Sequence, residues 1–227
     1  MKLVVTLCFW IFSFSLFSQN FQDSIILLNG KSFIGQFEKT NDEFLFFNLK
    51  GKNGNDLIML EKYRVFSYTV DNAETVVYKY DSLSDNFLTV NQSRKFALGS
   101  YDARQMYSSK PAFYTSIGLS YGLSLFDTYL TKKAAKEHII PNLKTGFFSR
   151  KPSILPLTMM LVMPISFGLP STKVKSKHIL QKGLRNDQYY YEGFNNVARQ
   201  KRSMSALKGS LIGIGLGYLS YGVFKTN

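Results

Sequence analysis

The chain has 227 residues, 45% apolar and 15% aromatic, which excludes a disordered protein and is enough for one ordinary domain or a small domain plus a membrane region. Its single cysteine, Cys8, lies in the N-terminal segment, so once that segment is removed disulfides, thiolate nucleophiles and cysteine metal sites are excluded. The net charge of +13 is uneven: residues 19–97 carry nine Lys/Arg against ten Asp/Glu, residues 98–227 carry eighteen against five, and Lys2 supplies the rest.

Residues 1–18 read as a secretory signal peptide. Lys2 is the positive start, Leu3 to Phe17 the apolar stretch, and Ser18 the small residue at the cleavage point. An uncleaved anchor helix is the alternative. An exported chain meets little nucleic acid, so the basic second half points to an anionic membrane surface.

Residues 21–97 alternate short apolar runs with turn signals. Strands are expected at Ser24–Leu28, Lys31–Glu38, Glu43–Asn48, Asp56–Leu60, Tyr63–Val70 and Thr75–Tyr80, with a hairpin turn at Asn29-Gly30. The string from Asp23 to Phe47 resembles the opening of SH3-like or Sm-like barrels, in which a strand glycine, here Gly35, permits sharp curvature. That resemblance implies a small antiparallel β-barrel-like domain and no particular activity.

Residues 98–227 read as a helical, membrane-associated region. A polar helical stretch, 98–111, ends at Pro111, with Asp102 near a helix start and Arg104 exposed. Three apolar segments follow, at 112–130, 154–169 and 204–224. In the first, Ser116, Ser120 and Ser124 recur every four residues, and Asp127 is expected at the membrane surface. In the last, Gly209, Gly213 and Gly217 form overlapping GxxxG units that favour close helix packing. Between them, Tyr189 and Tyr190 are expected at headgroup level, with Arg199, Lys201 and Arg202 on lipid phosphates. The basic loops favour two full spans plus a re-entrant middle segment. That arrangement keeps all the loop cations on one side and makes the last helix run opposite to the first.

The layout also resembles a group of uncharacterised envelope proteins of Bacteroidota. The residues that carry this are Gly99, Asp102 and Ala103, then Tyr190, Gly193, Phe194 and Ala198, then the glycines at 209, 213 and 217. The resemblance implies an envelope location and no activity.

No catalytic or metal-binding set is legible. His138 and His178 lie in basic loops, and no paired-carboxylate or phosphate-loop pattern occurs. The fold expected is α+β. The function expected is that of a non-enzymatic, membrane-anchored interaction or scaffold protein in the inner membrane, its β-domain in the periplasm. The alternative is a self-associating pore or transporter subunit. The partners expected are membrane lipids, envelope proteins and a second copy of the chain. No cofactor and no nucleic acid are expected.

Overall fold

A computed structural model describes residues 23–51, 54–84, 86–136, 155–175, 179 and 182–225. The expected signal peptide lies outside these residues, as does most of the basic loop expected at 131–153; its first residues, 131–136, are the end of a helix instead. The chain divides after Arg94 into two compact units.

The first unit is built on β1 (Asp23–Leu27), β2 (Ser32–Thr40), β3 (Phe44–Gly51), β4 (Gly54–Glu61), β5 (Val65–Val70) and β6 (Ala73–Val76). They form one antiparallel sheet in the order β4-β3-β2-β1-β5-β6. Side chains alternate between the faces of a strand, and one face carries the core: Ile25, Leu27, Leu45, Phe47 and Val65 are buried. The turn after β1 forms as expected at Asn29-Gly30, with Gly30 at a φ of 74° and the Asn29 side chain accepting from Lys31 N. The turn between β5 and β6 uses Asp71 and Asn72, both at positive φ. Those two residue types tolerate the left-handed conformation a two-residue hairpin requires.

Two expectations are corrected here. The sheet is open rather than barrel-like: among the described residues β4 pairs only with β3, and the four-residue β6 only with β5. Gly35 also serves a different purpose. The ladder irregularity lies between Phe37 and Lys39, whereas at Gly35 a Cβ would lie 2.2 Å from Asn48 O. Its hydrogen side chain is what lets β3 come close.

The second unit contains α1 (Val90–Met106, whose first turn precedes the division), α2 (Lys110–Lys136), α3 (Leu155–Gly168) and α4 (Gln188–Lys225). The stretch expected at 98–111 is therefore the later part of a longer helix. That helix starts at a capping box, in which Thr89 Oγ1 accepts from Gln92 N while Gln92 Oε1 accepts from Thr89 N. Pro111 does not end it. Pro111 lies in the first turn of α2, where its missing N–H leaves no helix bond unmade.

The 38-residue α4 is the spine of this unit, about 57 Å long at 1.5 Å per residue. Its first half runs alongside α1: Lys95 meets Asp187, and Ser100 meets Gly193. Its second half runs alongside α2: Ser109 meets Ser205, and Tyr121 meets Ser220. In both cases the numbers rise together, so α1 and α2 lie parallel to α4. Gly168 at the end of α3 lies beside Ser203, and the chain then proceeds toward the start of α4, where Thr172 N bonds Asn195 Oδ1. Thus α3 is antiparallel to α4. The expected arrangement with the last helix running opposite to the first is corrected: the order is down, up, down, because close packing at small residues aligns α2 with α4.

Candidate functional site

The first half of α4 meets α1 at a crossing with almost no space. A Cβ at Gly193 would lie 2.0 Å from Phe96 O, and one at Gly99 would lie 2.0 Å from Tyr190 O. With two hydrogens there, the backbones touch, and Ser100 Oγ donates to Gly193 O at 3.1 Å. One turn on, the Tyr190 hydroxyl donates to Asp102 Oδ2 at 2.5 Å. Tyr190 is fully buried and Asp102 is 3% exposed. Burial, then the carboxylate, raises the Tyr190 pKa far above its ordinary value, so the phenol stays a donor at any physiological pH. Ala103, Phe194, Val197 and Ala198 pack beside the pair, and Tyr107 meets Phe194 edge-on. Both short motifs of the envelope-protein resemblance, Gly99/Asp102/Ala103 and Tyr190/Gly193/Phe194/Ala198, thus converge on one crossing.

This geometry corrects several sequence readings. Asp102 lies well inside α1 rather than near a helix start, Arg104 is half-buried rather than exposed, and Tyr190 is a core residue rather than a headgroup anchor. Tyr189, the residue before it, is half-buried behind the Asp187 cap, where Asp187 Oδ1 accepts from Tyr189 N and Tyr190 N. The other Asp187 oxygen accepts from Lys95 Nζ at 2.6 Å. That hydrogen bond is the main cause holding the Asp187 carboxyl below its ordinary range.

The basic residues expected on lipid phosphates are bonded inside the unit. Lys201 Nζ reaches the carbonyls of Ala103, Arg104 and Tyr107 at 3.3, 3.0 and 2.7 Å. It closes the C-terminal end of α1, where unpaired carbonyls and the helix dipole both favour a cation. Burial, with Arg104 nearby, lowers the Lys201 pKa. Arg199 Nε donates to Gly168 O at 2.6 Å at the end of α3, and Arg202 bonds Pro170 O. These side chains left for local carbonyls because each lies beside a helix end that lacks internal partners.

The second half of α4 has a different character. Ser116, Ser120 and Ser124 are fully buried along α2, and Gly209, Ser210, Gly213 and Gly217 are buried along α4. A Cβ at Gly209 would lie 2.4 Å from Phe113 O, and one at Gly213 would lie 2.5 Å from Ile117 O. The two small-residue stripes therefore meet each other within the chain. Asp127 also turns inward, at 7% exposure, rather than resting at a membrane surface.

Large apolar side chains point outward instead. Leu161 on α3 is 70% exposed and Leu219 on α4 is 69% exposed. With them are Tyr114, Leu119 and Phe126 on α2, Val162 and Ile165 on α3, Leu169 just past its end, and Met204, Leu211, Ile212 and Leu216 on α4. Three helices thus share an apolar girdle around a seam of serine and glycine. Among the described residues no helix is long and apolar enough to cross a membrane, so the transmembrane helices expected from the sequence are not found as single elements. The 14-residue α3 is too short, and α2 and α4 each carry a small, polar inner face beside the apolar outer one.

Among the described residues no three His, Cys, Asp or Glu side chains are grouped to hold a metal ion. Sequence reasoning missed the Asp102–Tyr190 pair and the Lys201 cap. The partners in these contacts are 88 and up to 98 positions apart, and nothing local announces them. No family model, curated protein or solved structure matches the chain.

Proposed function

We propose that this is an exported cell-envelope protein anchored in the inner membrane by its helical unit, serving as a non-enzymatic interaction or scaffold protein whose β-unit faces the periplasm. The observation that carries the reading is the inverted distribution in the lower half of the helical unit. Leu161, Val162, Ile165, Leu211, Ile212, Leu216 and Phe126 face outward, while Ser116, Ser120, Ser124, Asp127, Gly209, Ser210 and Gly213 face inward; of the large apolar residues described there, only Met163 and Ile214 are buried with them. Water favours the opposite distribution, and an apolar patch spanning three helices exceeds what a monomeric soluble surface normally leaves bare. In lipid, association relies on close backbone approach at small residues, which is how α2 and α4 meet.

The alternative, a self-associating pore or transporter subunit, drew on the same stripes of small residues. Those stripes are occupied inside the chain, which favours the scaffold reading.

Cysteine scanning tests the anchor. The chain's only cysteine, Cys8, lies in the signal segment, so single cysteines at Leu161, Leu219 and Gln200 report cleanly in intact spheroplasts and membranes. The expected outcome is that a membrane-impermeant maleimide labels position 200 and spares 161 and 219, and that carbonate washing leaves the protein in the membrane. Equal labelling at all three positions, with release by carbonate, would mean a soluble helical unit.

A further inference from the structure

A cleft of about 570 Å³ opens where the girdle begins. Its walls come from the α1–α2 turn, the first turn of α2, residues 171–175 and α4. Four cations line it, Lys110, Lys173, Lys175 and Arg202, and no acidic residue does. Lys173 and Lys175 flank Thr172 and Val174 in an extended segment. Both lysines are exposed while Thr172 is buried and Val174 half-buried, as a period of two requires. Thr172 N is fixed by Asn195 Oδ1 at 2.8 Å, yet its hydroxyl is buried and has no hydrogen-bond partner among the described residues. Arg202 Nε is unpaired in the same way. Two unmet polar groups, one of them on a cation, beside three lysines are an arrangement that awaits an anion, since a buried hydroxyl or guanidinium N–H without a partner is unfavourable.

The place of the cleft says which anion. Ser109 and Ser205 touch at 2.6 Å, and Gly168 lies beside Ser203, so the starts of the apolar parts of α2 and α4 and the end of α3 share one level. Tyr114, Ile165 and Met204 are the first exposed apolar residues past that level. A group seated among Lys110, Thr172 and Arg202 has polar protein on one side and the girdle on the other. An amphiphile with a phosphate head and acyl tails fits both. The N-terminus of α2 adds its dipole to the attraction.

We propose that this cleft binds the phosphate of an anionic phospholipid headgroup. Lys173, Lys175 and Lys110 supply charge, the Thr172 hydroxyl and Arg202 supply directed hydrogen bonds, and the acyl chains lie along α2 and α3. This rests on the membrane reading above. The site differs from the one expected from sequence. Arg199 and Lys201 are taken up by carbonyls, and of the three only Arg202 reaches the cleft.

The test uses the full chain in a neutral detergent, with thermal unfolding followed as lipid is titrated. Phosphatidylglycerol should raise the midpoint, while phosphatidylcholine and inorganic phosphate should not. Lys173→Gln with Lys175→Gln should weaken the phosphatidylglycerol effect about tenfold. Thr172→Val should weaken it about fivefold, while leaving the lipid-free protein as stable or more so, because an unpaired hydroxyl has gone. A purely structural role for Thr172 would not divide the two readouts in that way. Equal effects of the two lipids, an equal effect of inorganic phosphate, or full phosphatidylglycerol binding by both variants would overturn the site. Carbonate extraction from phosphatidylcholine vesicles separates the two claims. Release there sinks the anchor itself, and retention without a phosphatidylglycerol preference sinks only the cleft.

Discussion

The two halves of α4 obey opposite rules along one continuous helix. From Gln188 to about Ser203, large and polar groups go inward: Tyr190, Phe194 and Val197 are buried, and Lys201 reaches into a helix end. From Met204 onward, Gly209, Ser210 and Gly213 go inward and Leu211, Ile212 and Leu216 go outward. The sequence itself changes there, from large aromatic and charged side chains to Gly and Ser set among Leu and Ile. On the membrane anchoring proposed above, the first half meets water and the second meets lipid, a solvent as apolar as its own side chains.

The largest test of this contrast places charge on the two surfaces. Leu161→Lys with Ile165→Lys should disfavour insertion by about 3 kcal/mol per site, seen as a shift from the carbonate-resistant pellet to the supernatant. Gln200→Lys, on the exposed face of the first half, should leave fractionation unchanged.

Next in size is a change at the tightest crossing. Gly193→Leu puts a side chain where Phe96 O already stands and should destabilise the unit by about 3 kcal/mol or more. Thermal unfolding followed by circular dichroism would read it. Gly215→Leu, at a glycine with open space beside it, should be tolerated.

A smaller effect is expected from the buried phenol. Tyr190→Phe takes from Asp102 a buried donor and should lower stability by about 2 kcal/mol. Tyr114→Phe, exposed in the girdle, should stay within about 0.5 kcal/mol. Equal losses would show that the two halves do not differ in their use of polar groups.

The smallest effect belongs to the cap of α4. Asp187→Asn keeps an N-cap residue but loses the Lys95 ion pair, about 1 kcal/mol. The sign with pH follows from the lowered carboxyl pKa. The contribution is fully present above the ordinary value of 3.8 and is lost as pH falls through the lower folded value. Unfolding from pH 7 to 3 should therefore show an acid limb in the natural chain that is weaker in the variant.

Much of the fold was legible because its signals are local. Alternating apolar residues marked all six strands to within a few positions, and Asn29-Gly30 marked its turn. The fourfold spacing of Gly209 and Gly213, and of Ser116 and Ser120, marked the faces that meet. Asp71-Asn72 carries an equally local turn signal between the strands expected at Tyr63–Val70 and Thr75–Tyr80. What could not be read was pairing at a distance. Tyr190 looked like an interfacial aromatic and Asp102 like an acid near a helix start, since each is polar until its partner is known. Lys201, Arg199 and Arg202 looked like a cationic patch because the carbonyls they serve belong to other helices. The direction of α4 relative to α2 was equally hidden. Loop charge argued for opposite directions, and only the close packing of the two seams decides it.

The continuity of α4 has a mechanical consequence. Its first sixteen residues, Gln188 to Ser203, are unbroken helix and amount to about 24 Å of rod. With the girdle in a bilayer, that rod stands clear of the headgroups as a rigid post, braced by α1 rather than hinged. Lys95, where the chain enters the helical unit, is clasped by Asp187 at the far tip of the post. On the anchoring proposed above, the Lys95–Asp187 clasp therefore stands about 24 Å from the girdle, at the end of a strut that does not bend.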